Sequence, residues 1–229
     1  MASTFNREDI LHTWQIFRQP GEVTEVRILN AGKWLGTVSG YFDNAEDFTK
    51  TVSQLAADPE HLVPAIYFTP NPVSKDLLAR AANRTKPNVK NTTSDVDITA
   101  LSWLLIDLDA KRPAGISSTD DEHDAAITKA GEVRQRLVDL GWPAGAFVLG
   151  DSGNGAHVNV KIDLPNLTEN ETLVRGCLEA LDFLFSDERI HVDVTSQNPA
   201  RIYMAVPISS EAFATKLYTP GFASFQTKA

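Results

Sequence analysis

The chain has 229 residues, 42% of them hydrophobic and 22% charged, so one large domain or two small ones with a sizeable core are expected and disorder is excluded. Lys and Arg number 21 against 30 Asp and Glu, and the net charge of -9 excludes coating nucleic acid by charge alone while allowing one local groove. A single Cys177 excludes an internal disulfide and a Cys-based zinc site, and without a leader-like start or a run near the ~18 apolar residues of a membrane span, the expectation is a soluble, cytoplasmic protein.

Asn6 caps a helix over 6–17 with Ile10, Leu11, Trp14 and Phe17 on one face, and Pro20-Gly21 stops it. Strands at 23–29 and 34–41 around Asn30-Ala31-Gly32 form a hairpin. Asn44 caps a helix carrying Phe48, Val52 and Leu55, 63–69 is a strand, and Ser74 caps a helix through about 83. The polar stretch 85–97, with Pro87 and several Asn and Thr, is the expected boundary between an N-terminal α/β module (1–95) and a second module (96–229).

The second half alternates more regularly. Strand 101–107 is followed by a loop and a helix over 122–140, with Ala126, Ala130, Val133, Leu137 and Leu140 in steps of four and three. Strands at 146–150 and 156–162 flank a glycine turn over 151–155. A helix from Thr168 carries Leu173, Val174, Cys177, Leu178, Leu181 and Phe185, and short strands at 190–195 and 201–206 close the series. The order is β-α-β-β-α-β, the ferredoxin-like pattern of an α+β protein, in which the first strand lies between the third and the fourth and one face of the sheet stays open.

Strand side chains alternate faces. Leu104, Ile106 and Leu108 then point one way, and Asp107 and Asp109 the other; Val158, Val160 and Ile162 pack inward while His157, Asn159 and Lys161 look out; Val192 and Val194 pack inward while Asp193 looks out. Asp107, Asp109 and Asp193 thus converge with His157 on one open face, an arrangement that no core requires. Clustered carboxylates repel unless a cation sits among them, and hard oxygen ligands suit Mg²⁺ or Mn²⁺. Two such ions are the usual device for in-line phosphoryl displacement.

Two further signals accompany the acids. Gly150-Asp-Ser-Gly-Asn-Gly-Ala-His157 offers backbone N–H groups at Gly153 and Gly155 as a nest for phosphate, although the same run would also make a plain Asn-Gly hairpin turn. It lacks the Gly-Lys-Ser/Thr ending of an ATPase loop. Arg201 opens a strand and can fork onto a triphosphate. Lys75, Arg80 and Arg84 belong to a local basic strip suited to a phosphate backbone, or equally to a solvated helix face. His12, His61, His123 and His191 share no ligand spacing, and no role is assigned to them.

Leu104-Leu-Ile-Asp-Leu-Asp109, Ser152-Gly-Asn-Gly-Ala-His157 and Val192-Asp193 resemble the three motifs of the archaeo-eukaryotic primase superfamily, in particular its bacterial and phage primase-polymerase branch. Tyr67-Phe-Thr-Pro-Asn-Pro, Ala81-Ala-Asn-Arg84 and Asp109-Ala-Lys-Arg-Pro113 also look like that branch. After Arg201 the basic, Gly-Thr pattern of such relatives is replaced by Ile202-Tyr-Met-Ala-Val-Pro207. The resemblance implies an RRM-like catalytic module with an N-terminal α/β module packed on it, and a primase-polymerase that initiates or extends strands on a template. It implies that Asp107, Asp109 and Asp193 are ligands of two Mg²⁺ or Mn²⁺ ions and that His157 contacts the phosphate of the incoming nucleoside triphosphate. Ser152, Gly153, Asn154, Gly155 and Arg201 would be further nucleotide contacts. The implied partners are single-stranded template and primer, and a replicative helicase in trans or on a longer parent chain. Against this stand two alternatives: a non-catalytic RRM-like nucleic-acid-binding module, disfavoured because such sheets stack bases on aromatics rather than carry acids, and a metal-dependent phosphodiesterase.

Overall fold

The computed structural model describes residues 6–30, 36–57, 65–113, 116–207 and 217–218. The elements are α1 (Arg7–Phe17), β1 (Thr24–Ile28), β2 (Val38–Phe42), α2 (Ala45–Ala57), β3 (Ala65–Phe68), a 3₁₀ turn (Lys75–Leu77) running into α3 (Leu78–Ala81), and β4 (Thr85–Lys86). There follow β5 (Ala100–Ala110), α4 (Asp120–Asp139), β6 (Phe147–Asp151), β7 (Gly155–Pro165), α5 (Thr168–Phe185), β8 (Ile190–Val192), β9 (Tyr203–Pro207) and β10 (Leu217–Tyr218). The architecture is α+β, with two five-stranded sheets among the described residues. Among the described residues no helix is long and apolar enough to cross a membrane.

The chain falls into two compact units. The first comprises Met1–Trp103, Ile162–Val174 and Gln197–Thr215, and the second Leu104–Lys161, Arg175–Ser196 and Lys216–Ala229. No single cut in the sequence separates them, because the division falls inside β5, β7 and α5.

The first unit holds the sheet β4-β2-β1-β3-β9. Its helices start where capping side chains demand it: the Asn6 carboxamide accepts the Glu8 N–H at 2.9 Å, and Asn44 accepts the Asp47 N–H at 2.9 Å. β1 and β2 pair antiparallel as expected, while the tip of their hairpin lies outside the described residues. The polar stretch after residue 84 packs on this sheet: β4 pairs with β2, and the Thr93 N–H donates to the buried Glu25 carboxylate at 3.1 Å. One expectation is corrected here. The last predicted strand, β9, pairs with β3 and so completes this sheet rather than the second one. Its recruitment follows from packing. Tyr203 is 4% exposed and its ring lies 5.9 Å from both Phe17 and Phe68, within a cluster that also holds Trp103 at 4.8 Å from Phe17.

The second sheet has the order β10-β6-β7-β5-β8, so β5 does lie between β7 and β8. Leu108, Val158 and Val160 are fully buried, as their parity predicts, and so is Ile106. Asn159 departs from the expectation: it is buried, and its amide donates to the Val148 carbonyl at 3.2 Å. Thr119 opens α4 with a capping box to Glu122, and Ala126, Ala130, Val133 and Leu137 line its buried side. Along α5, Val174, Leu178 and Leu181 are buried, but Leu173 and Cys177 are exposed.

Candidate functional site

Asp107 and Asp109 occupy alternate positions near the end of β5 and are both half-buried. On one side β8 runs antiparallel, pairing Leu108 with Val192 and Asp109 with His191, and the Asp193 N–H donates to the Asp107 carbonyl at 2.8 Å. From β7, His157 brings Nε2 to 3.0 Å from Asp107 Oδ1. Arg112, just beyond β5, stands 3.8 Å from Asp109 Oδ1. Burial pushes the Asp109 carboxyl above its ordinary range, and the neighbouring Asp107 charge pushes in the same direction; Arg112, His191 and His157 offset part of this.

Asp193 lies just beyond the end of β8. β8 stops at Val192, three residues short of the predicted end, and a 3₁₀ turn over Val194–Gln197 follows. Asp193 Oδ1 accepts the Thr195 N–H at 2.8 Å, and the Thr195 hydroxyl reaches both carboxylate oxygens at 2.7 and 2.9 Å. This is the local side-chain turn that Asp favours at the end of a strand. Among the described residues no three or more His, Cys, Asp or Glu side chains form a group that could hold a metal ion. The expected three-carboxylate cluster is therefore not assembled with these side-chain positions. What remains is a pair of strand carboxylates whose oxygen chemistry suits a hard divalent cation and whose repulsion such a cation would relieve.

The glycine turn packs directly against the acids. A Cβ on Gly155 would stand 2.4 Å from the Leu108 carbonyl oxygen and 2.8 Å from Asp109 Oδ1, so only glycine lets β7 start this close to β5. Gly153 has φ +81°, the left-handed region, and its N–H donates to Asp151 Oδ1 at 2.7 Å. The Gly155 N–H donates to Ser152 Oγ at 3.0 Å, and the Ser152 N–H to the Gly155 carbonyl at 3.1 Å. Asn154 Oδ1 accepts the Ser118 N–H at 3.0 Å. Both amides predicted to cradle a phosphate thus donate within the turn, and the Asn154 carboxamide ties the turn to the segment before α4.

The remaining predicted residues belong to the first unit. Arg201 N–H closes a turn on the Asn198 carbonyl at 3.0 Å. Lys75 begins the 3₁₀ turn after Ser74. Arg80 donates to the Tyr41 hydroxyl at 3.3 Å and to the Thr92 carbonyl at 3.5 Å. Arg84 supplies the backbone carbonyl that closes over Gly40, with only 1.9 Å to an added Cβ.

Two histidines to which no role was assigned enter the site. His191 pairs with Asp109 across the sheet, a position legible from parity, since it lies next to the inward Val192 and two residues from Asp193. His123, in the first turn of α4, holds Asp151 Oδ1 at 2.7 Å. No local spacing announces that contact, because 28 residues separate the pair.

No protein family matches the chain, and no curated protein matches its sequence. Among solved structures, it is similar to the polymerase domain of Mycobacterium tuberculosis ligase D in complex with DNA. Identity is 13% and the TM-score 0.47, over 92% of this chain and 80% of that one. At that level no residue role passes from one to the other.

Proposed function

We propose that the chain is a nucleotidyltransferase dependent on Mg²⁺ or Mn²⁺, a primase-polymerase of the archaeo-eukaryotic primase superfamily acting on a nucleic-acid template. The observation that carries this reading is the Asp107–Asp109 pair: two half-buried acids side by side, with Asp109 pushed upward, ringed by His157, His191 and Arg112. The strand order β6-β7-β5-β8 supports an RRM-like module as its frame.

In this reading Asp107 and Asp109 hold the cation, and Asp193 joins them by exchanging its Thr195 hydrogen bonds for it. Bound divalent metal would activate the primer 3′-hydroxyl and neutralise the leaving pyrophosphate. His157 exchanges its hold on Asp107 for a phosphate oxygen of the incoming nucleoside triphosphate. Ser152, Gly153, Asn154 and Gly155 form the wall beside that phosphate, Arg201 is a further phosphate contact, and Lys75, Arg80 and Arg84 meet the single-stranded template or primer backbone.

The test is incubation of labelled primer and template with nucleoside triphosphates and Mn²⁺. Extension is expected, and Asp107→Asn with Asp109→Asn should lower it by about a hundredfold or more. Shortened primer would instead mark a phosphodiesterase, and unchanged primer with retained binding a non-catalytic module.

A further inference from the structure

We propose that His123 is a positioning residue for the nucleotide site, setting the shape of the glycine turn through Asp151; the nucleotide part of this rests on the reading above. A carboxylate only accepts, so in the 2.7 Å contact between His123 Nε2 and Asp151 Oδ1 the imidazole N–H is the donor. The same Oδ1 accepts the Gly153 N–H at 2.7 Å. One oxygen therefore joins the start of α4 to the residue whose left-handed φ of +81° reverses the chain.

The anchor is itself fixed. The Thr119 hydroxyl accepts the Glu122 N–H at 3.3 Å, Glu122 returns a bond to the Thr119 N–H at 2.8 Å, and the His123 N–H donates to the Thr119 carbonyl at 2.9 Å. The turn is gripped a second time where Ser118 N–H meets Asn154 Oδ1. Both side chains of the His123–Asp151 pair are largely buried, at 18% and 19% exposed, so water competes weakly for the contact. The grip matters because the turn leads straight into Gly155, which abuts Asp109, and His157, which meets Asp107. A turn that relaxes by an ångström carries both with it.

The test uses the full chain with His123→Ala and His123→Gln; glutamine places an N–H donor the same number of bonds from Cα. Amide hydrogen exchange followed by NMR should show Gly153 exchanging about tenfold faster in the alanine variant, with the glutamine variant close to the native protein. The Ala130 and Val133 amides of α4 should keep their native rates. ATP affinity in Mn²⁺ should fall about tenfold in the alanine variant and recover in the glutamine variant. Unchanged Gly153 exchange in His123→Ala, or a glutamine variant as loose as the alanine one, would overturn the proposal whatever the protein does with nucleotides. Faster exchange with unaltered ATP affinity would overturn the nucleotide part of it. A native protein that binds no ATP would sink the functional reading above, and the exchange rates would still decide whether His123 sets the turn.

Discussion

Glu25 on β1 and Asp109 on β5 are both strand carboxylates withdrawn from water, and their surroundings differ in kind. Glu25 is fully buried, and donors surround it: Arg27 through Nε and Nη2, the Ser39 hydroxyl, and the Thr93 N–H. Asp109 faces another carboxylate two residues away, with Arg112 at 3.8 Å. The first arrangement satisfies a charge and fixes a fold, as it draws the polar stretch after β4 onto the sheet. The second keeps like charges together and stabilises nothing by itself. Residues that raise the energy of the empty protein are the ones a ligand has reason to meet.

The comparison predicts opposite signs for removal of the two acids. Glu25→Ala strips the partner from a half-buried guanidinium, a buried hydroxyl and an amide, and should destabilise the protein by roughly 3–5 kcal/mol in urea denaturation. A loss below about 1 kcal/mol, the size of a single exposed ion pair, would put Glu25 in the same class as a surface acid and erase the contrast.

The glycines sharpen the contrast on backbone rather than charge. Gly155→Ala drives a Cβ to within 2.4 Å of the Leu108 carbonyl and must push β7 away from β5. The expected cost is about 1–3 kcal/mol, with loss of any metal response that depends on Asp109. Gly131 lies inside α4 with nothing within 4 Å of its added Cβ, so Gly131→Ala should instead stabilise by about 0.5–1 kcal/mol. Equal effects of the two substitutions in thermal unfolding would show that Gly155 is not pinned by the acids.

Parity along β5, β7 and β8 carries most of what the sequence reveals of this face. It puts Asp107, Asp109 and His157 together, and carried two residues back from Asp193 it would have included His191. Parity alone does not fix the Asp193 side chain, because β8 stops at Val192 and the Thr195 hydroxyl and amide both bind its carboxylate. The fate of residues 203–207 was equally illegible. Apolar alternation marks a strand but not its sheet, and the choice was made by Tyr203 finding Phe17 and Phe68. The Pro, Asn and Thr after residue 84 do not disclose, by composition, a buried carboxylate that accepts the Thr93 N–H. The His123–Asp151 contact was hidden for the same reason: it depends on where a helix begins relative to a turn 28 residues later.

The smallest expected effect tests the Asp109 side of the comparison through pH. Its carboxyl is raised above the ordinary value of 3.8 by burial and then by Asp107. A folded state with the higher pKa binds the proton more tightly than the unfolded chain. The group therefore favours folding at low pH, and that contribution is lost as pH climbs from the unfolded value through the folded one, leaving a constant penalty above. Asp109→Asn removes the titration, so the variant should melt higher than the native protein at pH 7. With the side chain 35% exposed, solvent screening keeps the gain small, on the order of 2 °C. The gap should close toward pH 3, where the native carboxyl is protonated in both states. Millimolar Mn²⁺ should close it from the other side, by stabilising the native pair and not the variant. A variant less stable at pH 7, or a difference that ignores both pH and Mn²⁺, would make Asp109 a satisfied acid like Glu25.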